Sequence, residues 1–259
     1  MLENFDAIIF DLDDTLIETR FADELAYCAV EDNLIKKFKL TLAEARRTVE
    51  AFRSAMSLRP YDVERASHVW TWRRYLWTEA LQSSLVKQFD SIDFMSHSAT
   101  DTFRDVRLRH CALSEECSAA LMKLRDRGVK LGIVTNGHEI VQREKLAACC
   151  AYAIFKPEHV IVGGEQELAR RRQKPDVTIF HRACDVLNVQ PSRAIFVGDD
   201  WDVDVVGAVA AGMGKVFYVI GSKCEECHRQ SVLLHDRVQV VKSVCEMLET
   251  ILNSEKFAS

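Results

Sequence analysis

Three apolar runs in this 259-residue chain stop on side chains that can do chemistry. Residues 5–10 end in Asp11-Leu12-Asp13-Asp14-Thr15, and Leu131-Gly132-Ile133-Val134 ends in Thr135-Asn136-Gly137. Ile195-Phe196-Val197 ends in Gly198-Asp199-Asp200-Trp201-Asp202-Val203-Asp204, and Lys174 precedes Pro175-Asp176 and a helical pattern. Carboxylates brought together at such ends repel one another unless a cation lies among them. Their hard oxygens suit Mg²⁺, which favours octahedral oxygen ligation and keeps several waters. Around a phosphoryl group the cation would neutralise one edge and Lys174 another. The Thr135 hydroxyl, with backbone N–H groups, would hold a third. Asp11 could then attack phosphorus in line. Asp13, two residues on, could protonate the departing alkoxide and later activate water.

Such residues need strands to carry them, because ligands of an open parallel sheet gather beyond the carboxyl ends of its strands. Buried-strand runs recur at residues 129–134, 160–162, 194–197 and 216–220. Between them lie helical spacings, Leu121 and Leu124 behind Ser114, and Ile179, Ala183, Val186 and Leu187. This alternation predicts an α/β fold with a doubly wound parallel sheet. Residues 18–110 carry no strand pattern. Thr41-Leu42-Ala43-Glu44 is a capping box, followed by Ala45, Val49, Phe52 and Met56 at helical spacing. Residues 63–81 read as a second amphipathic helix holding Trp70, Trp72, Tyr75 and Trp77. The expected organisation is an α/β core over residues 1–17 and 111–259, interrupted by an all-helical insert over 18–110.

The four motifs, in their order and spacing, resemble the haloacid dehalogenase-like hydrolase superfamily, whose helical-cap phosphatases place their cap where this insert lies. They are Asp-x-Asp-x-Thr at 11–15, Thr-Asn-Gly at 135–137, Lys174-Pro175-Asp176 and Gly-Asp-x-x-x-x-Asp at 198–204. Val203 departs from the pattern, since many relatives carry Asn there. The resemblance implies a Rossmann-like core and Mg²⁺-dependent hydrolysis of a small phosphorylated metabolite through an aspartyl-phosphate. It implies Asp11 as nucleophile and metal ligand, and Asp13 as acid/base with its backbone carbonyl on the metal. Asp199 becomes the carboxylate ligand, Asp204 an acid that orients metal waters or Lys174, and Thr135, Asn136 and Lys174 the phosphate-binding set. An acid at position 13 favours a phosphatase over a dehalogenase, whose halide leaves without a proton. A phosphomutase and a non-catalytic binding module of the same fold stay open as alternatives. The cap would close over the ester, with Arg20, Arg73 and Arg74 reading a polar or anionic group and Trp70 or Trp77 stacking on a ring.

Composition narrows the partners. A net charge of −5 offers no basic excess for a nucleic-acid backbone, and Arg170-Arg171-Arg172 reads as a solvated face. No apolar run approaches a membrane span, and the N-terminus lacks the basic and apolar regions of an export signal. The expectation is a cytoplasmic monomer or homodimer with its nine cysteines reduced. Cys224-Glu225-Glu226-Cys227-His228 matches haem-attachment spacing, but without export it reads as a coincidental polar stretch.

Overall fold

The computed structural model describes residues 5–62, 64–85, 91–164, 173–221 and 236–253. Strand β1 (Ala7–Phe10) is followed by helices α1 (Thr19–Phe38), α2 (Leu42–Leu58), α3 (Val69–Ser84) and α4 (Ile92–His110). Then come α5 (Glu115–Asp126), β2 (Lys130–Thr135), α6 (Glu139–Ala148), β3 (Val160–Val162), α7 (Val177–Leu187) and β4 (Ala194–Gly198). A π-helical turn (Trp201–Val205), α8 (Val206–Ala210), β5 (Lys215–Val219), β6 (Val238–Val241) and α9 (Val244–Leu252) complete the order. The chain divides into two compact units, Met1–Glu18 with Ala112–Ser259, and Thr19–Cys111.

The first unit is a parallel six-stranded sheet in the order β3-β2-β1-β4-β5-β6. Strands β2 and β3 are laid on one side of β1, and β4, β5 and β6 on the other. The winding therefore reverses between β1 and β4, the point at which such sheets collect ligands. This is the doubly wound α/β arrangement that the alternation predicts. Strand β6 escapes the sequence reading because it is short and only its ends, Val238 and Val241, are buried, with Gln239 exposed between them.

Register places the chemistry. Phe10 lies opposite Ile133 on one side and Val197 on the other, so Asp11, Thr135 and Asp199 leave the same edge within two residues of that level. Ala7, Ile8, Ile9 and Phe10 are all buried, as a strand covered on both faces requires. Helix α7 packs Ile179, Phe180, Ala183, Cys184 and Leu187 into the core, with the Phe180 ring edge-on to Phe196 of β4 at 4.9 Å. Helix α5 starts at Ser114, whose hydroxyl accepts from Cys117 N at 3.1 Å.

Among the described residues, the second unit places helices α1 to α4 around their own apolar core, with Val30 and Leu34 of α1, Phe52 of α2, Leu76 and Trp77 of α3, and Met95 and Phe103 of α4. The Thr41–Glu44 capping box is formed, with Thr41 N donating to Glu44 at 2.9 Å and Glu44 N to Thr41 at 3.3 Å. Helix α3 runs from Val69 to Ser84 rather than over 63–81. Asp62 accepts from Glu64 N at 2.9 Å and Tyr61 donates its hydroxyl to Ala66 O at 2.8 Å. These local bonds hold a turn, and the helix begins only behind His68, whose ring accepts from Trp70 N at 3.2 Å. No helix among the described residues is long and apolar enough to cross a membrane.

Candidate active site

Asp11 is the first residue past β1, and its N–H extends the ladder by one bond, to Val197 O at 2.8 Å. The chain then turns tightly. Leu12 O accepts from Leu16 N and Ile17 N, and Asp14 N donates to Ile17 O at 2.7 Å. Asp14 takes a left-handed φ of 60°, a conformation that Asp tolerates better than most residues.

The lysine arrives from the start of α7. Asp176 caps that helix by accepting from Thr178 N at 2.9 Å, which fixes Lys174 two residues ahead of it. Asn136 holds the same segment from the β2 side. Its side chain donates to Lys174 O at 2.9 Å and accepts from Lys174 N at 2.8 Å. The sequence assigns Asn136 to phosphate; the structure turns its side chain onto the Lys174 backbone. Lys174 Nζ then reaches Asp11 Oδ1 at 2.5 Å and Asp204 Oδ1 at 2.7 Å.

Asp204 lies in the π-helical turn after β4, a backbone form that often marks functional sites. Asp200 opens the turn by accepting from Val203 N at 2.9 Å, and Asp200 N donates back to Asp204 Oδ2 at 3.1 Å. Gly198 makes room. A Cβ there would lie 2.5 Å from the Asp204 carboxyl carbon. Gly207 does the same for Lys174's neighbour, since its Cβ would lie 2.9 Å from Pro175 Cα.

Burial dominates the electrostatics. It pushes the Asp11 carboxyl up to about 8; Lys174 pulls it back, and the Asp204 and Asp13 carboxylates push it up further. Asp204 is raised by burial too, against the pull of Lys174. Burial works against the Lys174 ammonium, yet Asp11 and Asp204 together hold its pKa above the usual lysine range. One ammonium therefore does not offset these buried carboxylates. One oxygen each of Asp11, Asp199 and Asp204 lies within 4.8 Å of the others. Hard oxygens packed this closely, and under-neutralised, fit a small divalent cation such as Mg²⁺. Asp204 is thus placed among the clustered carboxylates, in addition to its bond with Lys174.

Asp13 faces residues the sequence reading does not single out. Lys145 Nζ lies 2.7 and 2.9 Å from its two carboxylate oxygens, and Gln142 Nε2 lies 2.8 Å from Oδ2 and 2.6 Å from Thr135 Oγ1. Both are buried on α6. The available signal was their position beside Val141 and Leu146, where an ammonium and an amide interrupt the buried stripe.

The expected specificity residues scatter within the helical unit. Arg20 is exposed on α1. Arg73 is buried, with its guanidinium 4.6 Å from the Trp70 ring, which Arg104 also approaches at 5.2 Å. Arg74 hydrogen-bonds the His97 ring. Trp77 is a correction. It is fully buried and stacks on Phe52 at 3.7 Å and 5°, so it is core and offers no face to a substrate ring. The Arg170-Arg171-Arg172 and Cys224-Glu225-Glu226-Cys227-His228 stretches lie outside the described residues.

Comparison with known proteins agrees with this geometry. The human (Homo sapiens) N-acylneuraminate-9-phosphatase is 32% identical over 220 residues, 82% of each chain. The glyceraldehyde 3-phosphate phosphatase of Methanothermobacter thermautotrophicus is 26% identical over 87% of this chain and 90% of its own. The crystal structure of a HAD phosphatase from Thermococcus onnurineus superposes with a TM-score of 0.61 at 23% identity, over 97% of this chain and 100% of the other. A family model described as haloacid dehalogenase-like hydrolase matches residues 5–212. With the motif residues gathered at the β1/β4 switch point and that match spanning most of its length, the chain belongs to the haloacid dehalogenase-like hydrolase family.

Proposed function

We propose that this chain is a phosphoric monoester hydrolase that cleaves a small phosphorylated metabolite through an aspartyl-phosphate on Asp11. The observation that carries the reading is the buried Asp11–Lys174–Asp204 ion cluster, with Asp199 beside it, at the sheet's switch point. Lys174 neutralises one phosphoryl edge, and the Thr135 hydroxyl donates to another. An Asp11 oxygen attacks phosphorus as the ester P–O bond breaks, and the leaving oxygen takes the Asp13 proton. Asp13 then accepts a proton from water. That water attacks phosphorus, releases inorganic phosphate and restores Asp11. Mg²⁺ held by Asp11, Asp199 and the Asp13 backbone carbonyl, with Asp204 alongside, would neutralise charge on the phosphoryl oxygens.

The relatives named N-acylneuraminate-9-phosphatase and glyceraldehyde 3-phosphate phosphatase favour hydrolysis of small phosphate esters over a mutase or a binding module. Selectivity for the organic part is assigned to the helical unit, with Arg20, Trp70, Arg73 and Arg74 as its candidates. The test is phosphate release from a panel of phosphorylated metabolites, with Mg²⁺ and with a chelator. Release that needs Mg²⁺, and that Ca²⁺ supports poorly because it relaxes the octahedral shell, is the expected result. Equal release without any divalent ion would reject the metal assignment.

A further inference from the structure

Lys145 and Gln142 sit three residues apart on α6 and share one face, each 2% exposed. Burying an ammonium is costly unless it is paired, and the buried apolar neighbours Val141 and Leu146 show that packing alone would accept a hydrocarbon here. Lys145 instead spans both oxygens of Asp13, at 2.7 and 2.9 Å. Gln142 has a second job. In its ionised form, the state that later takes a proton from water, the Asp13 carboxylate only accepts hydrogen bonds, so it fixes which end of the Gln142 amide faces it, the NH₂ end. That same nitrogen lies 2.6 Å from Thr135 Oγ1 and must donate there as well. A hydroxyl that accepts from Gln142 directs its own proton elsewhere. Its contact with Asn136 O, at 3.3 Å, is long and leaves that proton available to an oxyanion. The acid/base carboxylate and the phosphate-binding hydroxyl are thus joined through one amide.

We propose, resting on the phosphatase reading above, that Lys145 and Gln142 are positioning residues. Lys145 holds the Asp13 carboxyl in the orientation that meets the leaving oxygen, and Gln142 ties that orientation to a Thr135 hydroxyl set as a donor to the phosphoryl group.

The experiment uses the full chain in saturating Mg²⁺ and a graded series of esters, from p-nitrophenyl phosphate to phenyl and alkyl phosphates. The quantity read is kcat/KM, which reports events up to departure of the leaving group and so is not masked by slow dephosphorylation. Lys145→Met should lose at least about tenfold more activity on the alkyl ester than on the nitrophenyl ester, with the roughly 10²–10⁴-fold contribution of a positioned acid as the ceiling. Gln142→Leu should show the same steepening and also weaken inhibition by inorganic phosphate about tenfold, as loss of an oriented donor to an anion would. Lys145→Met should leave phosphate inhibition nearly unchanged. If Lys145→Met does not fold, Lys145→Ala with added ethylammonium takes its place. Rescue greater on alkyl than on nitrophenyl esters supports the assignment. A loss equal across leaving groups, with phosphate inhibition unmoved in Gln142→Leu, overturns it and leaves a packing role. A wild-type chain inactive on every ester overturns the phosphatase reading itself, and this assignment with it.

Discussion

The proposed nucleophile, Asp11, is buried, and it would have to be ionised to attack phosphorus. Burial alone would keep its proton on, and even with the Lys174 ammonium beside it the carboxyl stays at about 8. The sign of the consequence follows. With the folded value raised from 3.8 towards about 8, the metal-free fold binds a proton more tightly than the unfolded chain does. Its stability therefore falls as pH climbs through that window. A cation bound to the carboxylate must displace that proton, so binding strengthens as pH rises. The rise in Tm on adding Mg²⁺ should be larger at pH 8 than at pH 6, and the difference should shrink in Asp11→Asn. Calorimetry showing equal rises at both values would contradict the linkage. Turnover should vanish in Asp11→Asn while the fold survives, because an amide is a poor nucleophile. Turnover within about tenfold of wild type would reject Asp11 as the nucleophile. The carboxylates, Thr135 and Lys174 were legible in the sequence because each follows a strand or precedes a helix cap. Lys145 and Gln142 were not. Their meaning depends on facing Asp13 across 132 and 129 residues of chain, and no local pattern encodes that.

At the scale of elements, small residues decide whether charged ones can meet. Gly198 ends β4 where a Cβ would sit 2.5 Å from the Asp204 carboxyl carbon. Gly198→Ala should push Asp204 off Lys174 and loosen the whole ion cluster. Overpacking of this kind costs about 1–3 kcal/mol. Activity should fall by more than the stability loss explains, and assays well below Tm would show it. Full activity together with a lowered Tm would mean that Asp204 tolerates the displacement. Helix boundaries show the same mixture of local and non-local control. The Thr41–Glu44 capping box is a local signal, and α2 begins behind Thr41 as it predicts. The start of α3 is not legible locally, because apolar spacing continues through residues 63–68 while the hydrogen bond that Asp62 accepts from Glu64 N and the one that Tyr61 donates to Ala66 O favour a turn.

At the scale of the molecule, each compact unit has its own core, and the tryptophans of the helical unit divide between core and periphery. Trp77→Ala should cost about 3–5 kcal/mol, the usual range for emptying a large buried aromatic site. Any loss of activity it causes should track unfolding in a denaturant titration. Trp70, half-buried between Arg73 and Arg104, should cost much less. If the helical unit sets selectivity, alanine at Arg20, Trp70, Arg73 or Arg74 should reorder kcat/KM across a substrate panel. Such changes should barely affect a small aryl phosphate, because remote binding energy orients the reacting centre. An unchanged ranking in all four would remove these residues from the specificity argument.

The sequence by itself determined the α/β alternation, the helical spacing within residues 18–110, and the four motifs. All three depend on periodicity and spacing along the chain, and motif order survives folding unchanged. Tertiary structure decided the rest. It placed the winding reversal between β1 and β4, so that Asp11 and Asp199 face one another. It turned Asn136 onto the Lys174 backbone, buried Trp77 against Phe52, and brought Lys145 to Asp13. Each of these is a choice of partner across space. A side chain's burial and bonding depend on what faces it, and neighbours distant in sequence leave no mark in local spacing.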